Sequence, residues 1–436
     1  MMMVGQKYYL YLGKDTKEHF SLPDKWTISH FVEAEECGPL PSIEQMVLDA
    51  LSQPAGTDPL GKLVSKTRRI AIIVDDATRP TPVAPILKTL LSHIEAGGFE
   101  KNNITIVIAL GTHEAMEKEA LEARLGSSIS TRYTVIQHNA WQSDLVPVVI
   151  PGDTRVLKIN PEVARADLRI GISSILPHPM AGYGGGPKIV MPGVANFEFI
   201  RDHHMKHLIN PRSTAGLTKG NPFHEDCMRA ARAIGLDFSI NCVYDQKGQI
   251  IRIIGGSLDM AFTKAVEICL AKLGHRFEEK VDVTIASVYP HSHGHQFFKG
   301  LSTPDAVTKE TGAILLVAPI VAPMSTEFLK SFHEIKEKSH DNSAAYIKDH
   351  LSKGMAYLPD KSIDFNMAMS TPFLRPKIRT ILVSSLISEN EARTMGLEYA
   401  SSVEEGLKLL KTAYTKATVA IFPAGGLIIP ITAWKR

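Results

Sequence analysis

Three times in the first half of the chain, a run of aliphatic residues ends in a polar, glycine- or proline-rich loop and gives way to a segment of helical periodicity. "RRIAIIVDD" holds the apolar run Ile70 to Val74. It leads through "ATRPTP" into "VAPILKTLLSHIEAGG", whose closing Gly97 and Gly98 are a usual helix stop. "NNITIVIALGTH" runs into Gly111-Thr112-His113 and then the charged "EAMEKEALEARLG". "DLRIGISSILPHP" is apolar from Leu168 to Ser173 and delivers the chain to His178. Continuous aliphatic strands need cover on both faces, so this alternation predicts an α/β fold with a mainly parallel sheet flanked by helices.

The pattern resumes after the helical stretch "LDMAFTKAVEICLAKLG". Strand-like "VDVTIASVYP", "AILLVAP", "RTILVSS" and "TVAIFPAGG" follow, with the helix "VEEGLKLLKTAY" before the last. A chain of 436 residues exceeds one ordinary core, so two domains are expected, with the boundary near residues 270–282. The first, residues 1–272, is the cofactor-binding domain and can take in the extreme C-terminal segment. The second spans 280–436, and the active site is expected in the cleft between them.

Bulk properties narrow the function classes. Lys and Arg (48) nearly cancel Asp and Glu (46), which argues against a nucleic-acid or membrane surface. Cys37, Cys227, Cys242 and Cys269 form neither a CxxC nor a zinc spacing, and read as small core residues in a reducing cytoplasm. The N-terminus turns polar too early for a signal peptide, and no apolar run nears the ~20 residues that span a bilayer.

Asp75, Asp76 and Arg79, then His113, then His178 and Lys188 all follow the carboxyl ends of predicted strands. Ligands of open α/β sheets bind at that edge. An Asp or Thr of "VDDATRPTP" could merely cap the next helix, but capping does not explain Arg79, whose guanidinium can pair bidentately with a carboxylate or phosphate. Taken singly, His113 and His178 read equally well as hydrogen-bonded structural residues. Together they offer one cleft two imidazoles that exchange protons near neutral pH.

"PHPMAGYGGGPK" packs four glycines into five positions before Lys188. A Walker loop needs Gly before its lysine and Ser or Thr after it; here Pro187 and Ile189 stand there. A dinucleotide fingerprint also fails, because Gly182, Gly184 and Gly185 do not fit GxGxxG. The run can still bring backbone close to a ligand, while Pro177, Pro179 and Pro187 stiffen it. Beyond it, "NFEFIRDHHMKHL" sets His203, His204 and His207 at helical spacing. Composition favours an exposed basic helix face there; one imidazole could instead ligate a metal.

"DDATRPTP", "GTH", "PHPMAGYGGGPK" and the histidine sixteen residues after that lysine resemble, in this order and spacing, the nickel-dependent lactate racemase family. The likeness runs from about residue 12 to the end and includes Gln296, Lys299 and "LEYASSVEEGLKLL". The resemblance implies a nickel pincer nucleotide, a pyridinium mononucleotide with two sulfur-containing arms, joined covalently to Lys188. It implies His204 as the imidazole ligand of nickel, and Gly184 and Gly185 as backbone lying against the cofactor. The implied activity is racemisation or epimerisation of a 2-hydroxy acid by proton-coupled hydride transfer. His113 and His178 would then act as acid and base on opposite faces of the substrate. Arg79 would hold the substrate and help with the cofactor, and Asp76 would position the nucleotide or the arginine. Gln296 and Lys299 would contact substrate from the second domain, and separate enzymes would build the cofactor.

One stretch departs from the family pattern. Where an Asp and an Asn are expected after the proline, this chain has "YPHSHGHQ", with His291, His293 and His295. That is either a rearranged loop or a pocket for a longer or more hydroxylated acid, a sugar acid included. Two other classes stand beside the racemase: a non-catalytic nickel or nucleotide carrier, and a metal hydrolase built on these three histidines. No carboxylate at ligand spacing supports the hydrolase.

Overall fold

The structure, a computed structural model, describes residues 6–33, 38–340 and 342–434. Cys37 and the first five residues lie outside them. The chain forms two units, one from residues 38–245 and Gln249–Lys272, the other from residues 6–33, Gln246–Gly248 and 273–434.

The first unit is built on a six-stranded sheet ordered Ile250–Gly256, Phe238–Tyr244, Leu168–Ile175, Ile70–Asp75, Ile104–Ala109, Thr134–Gln137. Five strands run parallel, and only the edge strand Ile250–Gly256 is antiparallel to its neighbour. The aliphatic runs are buried: every residue of Ile70–Asp75 and of Leu168–Ile175 is covered or nearly so. Ile72, Ile106, Ile170 and Ile240 form the middle of one core, into which Val83–Ala96 sets Ile86, Leu87, Leu90 and Ile94. Each such side chain contributes about 1.5–3 kcal/mol on burial, so the sheet centre is rigid where the loops leave it. Because Ile70–Asp75 sends its successors to one side and Leu168–Ile175 lies on the other, the topology reverses between these two strands. The carboxyl end of such a switch point is where open α/β sheets bind their ligands.

The second unit carries a six-stranded, all-parallel sheet ordered Glu398–Ala400, Arg379–Val383, Thr308–Val317, Val281–Ser287, Ala417–Phe422, Trp26–Phe31. The sequence reading grouped residues 1–272 together, yet Trp26–Phe31 pairs along Ala417–Phe422, near the other end of the chain. The C-terminal strand Ile429–Thr432 likewise pairs with Gly274–Phe277 inside this unit, and does not join the first. Three short strands before residue 32 and the antiparallel edge strand were not foreseen. Cys227, Cys242 and Cys269 are free and buried, as small core residues should be. Among the described residues no helix is long and apolar enough to cross a membrane.

Candidate active site

Asp76, Arg79, His113, His178 and Lys188 all follow strands of the first unit's sheet. Asp76 and Arg79 follow Ile70–Asp75, His113 follows Ile104–Ala109, and His178 follows Leu168–Ile175. Asp76 is buried, and its Oδ2 lies 2.5 Å from His113 Nδ1. Its Oδ1 accepts from the Thr78 amide at 2.8 Å and the Thr78 hydroxyl at 2.5 Å. Burial pushes the Asp76 carboxyl up, but the hydrogen bond and charge of His113, then Arg79 and Thr78, outweigh it and leave it at about 2. An ionised carboxylate only accepts, so His113 Nδ1 must carry the ring hydrogen and Nε2 holds the lone pair of the neutral ring. Asp76 therefore acts on His113, a partnership the sequence did not identify.

His178 has the opposite polarity. It sits in the small hairpin pairing Pro177–His178 with Gly182–Tyr183. Its Nδ1 accepts from the amides of Met180 (3.2 Å) and Ala181 (3.0 Å). That leaves the ring hydrogen on Nε2. One imidazole thus presents an acceptor and the other a donor.

The glycine run is explained largely by the protein's own packing. Gly182, Gly185 and Gly186 have φ of 78°, 70° and 52°. A Cβ on Gly182 would stand 2.0 Å from the Leu217 carbonyl oxygen, and one on Gly185 2.5 Å from that of Ser174. On Gly186 it would meet the Phe262 ring at 2.2 Å. Only at Gly184 are the nearest atoms, 3.6 Å away or more, at ordinary contact distance. The run is compressed so that Gly186–Ile189 packs beneath the strand Leu168–Ile175, with the Gly186 amide donating to Ser173 Oγ at 2.9 Å. Lys188 is thereby fixed on a tight turn.

Phe223, at the start of the helix Pro222–Ile234, organises the rest. It is fully buried, with Lys188 Nζ 4.8 Å from its ring centroid. The rings of His204, His178 and His203 lie 5.0, 6.1 and 4.2 Å from it. The helix Phe197–His207 does not show an exposed basic face as composition suggested: His203, His204 and His207 are all buried. Their partners arrive from Pro222–Ile234. His207 Nε2 lies 2.9 Å from Asp226 Oδ2, and His203 Nε2 3.2 Å from the Phe223 carbonyl. Burial first, then the neighbouring imidazoles, hold His203 well below the usual histidine range. Burial raises Asp226, but hydrogen bonds from His207 and Arg229 bring it far below the carboxylate range.

One metal-compatible cluster among the described residues spans this helix and the next. Ligand atoms of His203, His207 and Asp226 lie within 4.8 Å of one another. Asp226 also pairs with Arg229 and Arg155, which already satisfy its charge. His204 instead donates from Nδ1 to the Ile200 carbonyl at 2.8 Å, which puts its lone pair on Nε2, as metal-bound histidines are commonly oriented. His204 and Lys188 face the same Phe223 ring, so the residues fit a group held covalently at one end and ligated at the other.

Gln296 and Lys299 belong to the other unit, on the 3-10 segment Gly294–Leu301 that follows Val281–Ser287. His291 packs where a Cβ on Gly426 would be 2.7 Å from its Cδ2. His295 stacks on Phe328 at 5.0 Å, and the His293 backbone bridges Ala322. Among the described residues these three form no metal-binding cluster.

Comparison with known proteins gives the same direction. The lactate racemase N-terminal domain family matches residues 12–216. Lactate racemase from Thermoanaerobacterium thermosaccharolyticum is 30% identical over 303 residues, covering 68% of this chain and 70% of that protein. The Lactiplantibacillus plantarum lactate racemase is 27% identical over 414 residues, 89% of this chain and 91% of the relative. The structure of the Thermoanaerobacterium apoprotein superposes with a TM-score of 0.85 at 25% identity, over 98% of this chain and all of that one. The chain belongs to the lactate racemase family and is an isomerase, a racemase.

Proposed function

We propose that this racemase inverts a 2-hydroxy acid, lactate or a larger acid such as a sugar acid, with a nickel pincer nucleotide tethered to Lys188. What supports the reading is an Asp-backed acceptor, His113, and a donor, His178, each following the carboxyl end of a strand of one sheet, with His178, Lys188 and His204 gathered around Phe223. When bound, the nickel group supplies the acceptor for the hydrogen on the substrate carbon.

This chain's residues do the rest. His113 Nε2 takes the hydroxyl proton, and Asp76 stabilises the imidazolium that results. His178 Nε2–H donates a hydrogen bond to the substrate oxygen from the other face, and the His113 imidazolium gives its proton back when the hydroxyl re-forms, so the proton account closes for either enantiomer. Arg79 holds the substrate carboxylate, and Gln296 and Lys299 add contacts to it. Lys188 anchors the nucleotide, Gly184 and Gly185 lie against it, and His204 Nε2 is the nickel ligand; a nitrogen beside sulfur donors suits Ni(II). Enzymes that build the cofactor are required partners. The free, buried thiols agree with a cytoplasmic location. A mere cofactor carrier would need Lys188 and His204 but not the Asp76–His113 pair.

The test is the mass of the Lys188 peptide from protein purified out of its own source, with chiral analysis of candidate acids. A nucleotide-sized adduct, nickel in the intact protein and inversion that is lost in His113→Ala and His178→Ala are expected. An unmodified Lys188 without nickel removes the mechanism; a loaded protein in which both variants still invert removes the roles assigned to the histidines.

A further inference from the structure

The loop carrying Asp76 and Arg79 is gathered by one side chain from elsewhere in the unit. Arg124, in the last turn of Lys118–Leu125, donates from Nε to the Asp75 carbonyl at 3.1 Å. Its Nη1 donates to the carbonyls of Arg79 (3.0 Å) and Thr81 (2.8 Å), and its Nη2 pairs with Asp75 Oδ1. Both side chains are nearly covered, at 10% and 11% exposure. An arginine near a helix C-terminus is ordinary, since the dipole favours a cation there. The dipole does not explain why a single guanidinium spans three carbonyls that bracket Asp76 and Arg79.

The bracket extends beyond the loop. Asp75 Oδ2 accepts from Thr81 Oγ1 at 2.6 Å, Thr81 Oγ1 lies 2.5 Å from Ser174 Oγ, and Ser174 Oγ lies 2.6 Å from the Tyr244 hydroxyl. Ser174 belongs to the strand that delivers His178. The loop of Asp76 and the strand of His178 are thus joined through buried hydroxyls, with Arg124 closing the other end.

We propose that Arg124 is a positioning residue for racemisation: it fixes the backbone of residues 75–81 so that Asp76 meets His113 and Arg79 faces the substrate carboxylate. It acts through the loop. The proposal rests on the roles given above to Asp76, His113 and Arg79. Lysine cannot replace it, because an ammonium is a point donor while the planar guanidinium reaches several carbonyls in fixed directions.

The experiment compares Arg124→Lys with wild type in cofactor-loaded protein, reading kcat, KM and the pH profile for lactate by chiral chromatography. Nickel content, Lys188 adduct mass and melting temperature are recorded alongside. A fall in kcat/KM on the order of 10- to 100-fold is expected, with KM rising and the pH profile altered while the adduct is retained. Thr81→Val, which removes the hydroxyl link at nearly constant size, is expected to shift both in the same direction if Arg124→Lys does not fold. Kinetics and a pH profile indistinguishable from wild type overturn the proposal. The second readout needs no turnover. In unloaded protein, the downfield proton shared by His113 and Asp76, assigned through His113→Gln, should shift or broaden in Arg124→Lys; an unmoved resonance also overturns it. Loaded wild type that inverts no acid counts against the proposed function, and the proton resonance still decides the role of Arg124.

Discussion

Asp76→Asn isolates the charge behind His113. The amide keeps the shape of the carboxylate, so Thr78 can still donate to its oxygen, but its nitrogen then faces His113 Nδ1. The ring must accept there, its hydrogen moves to Nε2, and the lone pair meant for the substrate is lost. A wrong tautomer behind a general base costs on the order of 10³- to 10⁴-fold in kcat. Stability changes too. Lowering this nearly covered carboxyl from 3.8 to about 2 contributes about 2 kcal/mol to the native state at neutral pH. Because the folded value is the depressed one, that contribution is complete above 3.8 and disappears as the pH falls through about 2. Urea unfolding at pH 7 should therefore show a deficit for Asp76→Asn that narrows under acid. Inversion is measured by chiral chromatography on protein with a wild-type Lys188 adduct. Near-normal kcat with unchanged stability at pH 7 would refute the argument, because both effects come from the ionised carboxylate beside His113.

Two further outcomes test the packing. Gly182→Ala forces a side chain at φ 78° against the Leu217 carbonyl and should cost about 2–5 kcal/mol, whereas Gly184→Ala should stay within about 1 kcal/mol. Melting temperatures compare them; equal losses would mean the run is not packed as described. His138 is buried, with Nε2 2.9 Å from the Ala195 carbonyl, and burial pushes it down to about 4 despite that bond. Here the unfolded chain takes up the proton first, so up to about 3 kcal/mol of stability is lost between pH 6.5 and 4. His138→Gln should flatten that part of the stability profile, and a slope identical to wild type would exclude the residue as its source.

The central strands were legible because burial on both faces leaves uninterrupted aliphatic runs. Trp26–Phe31, "WTISHF", lies at a sheet edge with its exposed positions polar, so its apolar signal is diluted and its partner is almost 400 residues away. The ionisable residues of the site were legible from their places after strands. Their relationships were not. Nothing in "VDDATRPTP" says that Asp76 serves His113 while Asp75 serves Arg124; only the pleat, which sends neighbours to opposite faces, separates them. Likewise His203 and His207 looked solvated, because Phe223 and Asp226, which bury and satisfy them, come one helix later. The glycine run looked made for a ligand because Leu217, Ser174 and Phe262 are near it only in the folded chain.

The pairing of Trp26–Phe31 with Ala417–Phe422 has a consequence for synthesis on the ribosome. All of residues 38–272 has been translated long before the other unit can close, so the first unit can fold while the nascent chain is still growing. Trp26–Phe31 emerges before that unit, yet its strand partner follows it by almost 390 residues, a wait of roughly 20–80 s at ordinary elongation rates. For that time a strand edge is open to wrong partners. A holdase chaperone that covers the amino-terminal segment would therefore raise the yield of this protein more than one that recognises its later strands.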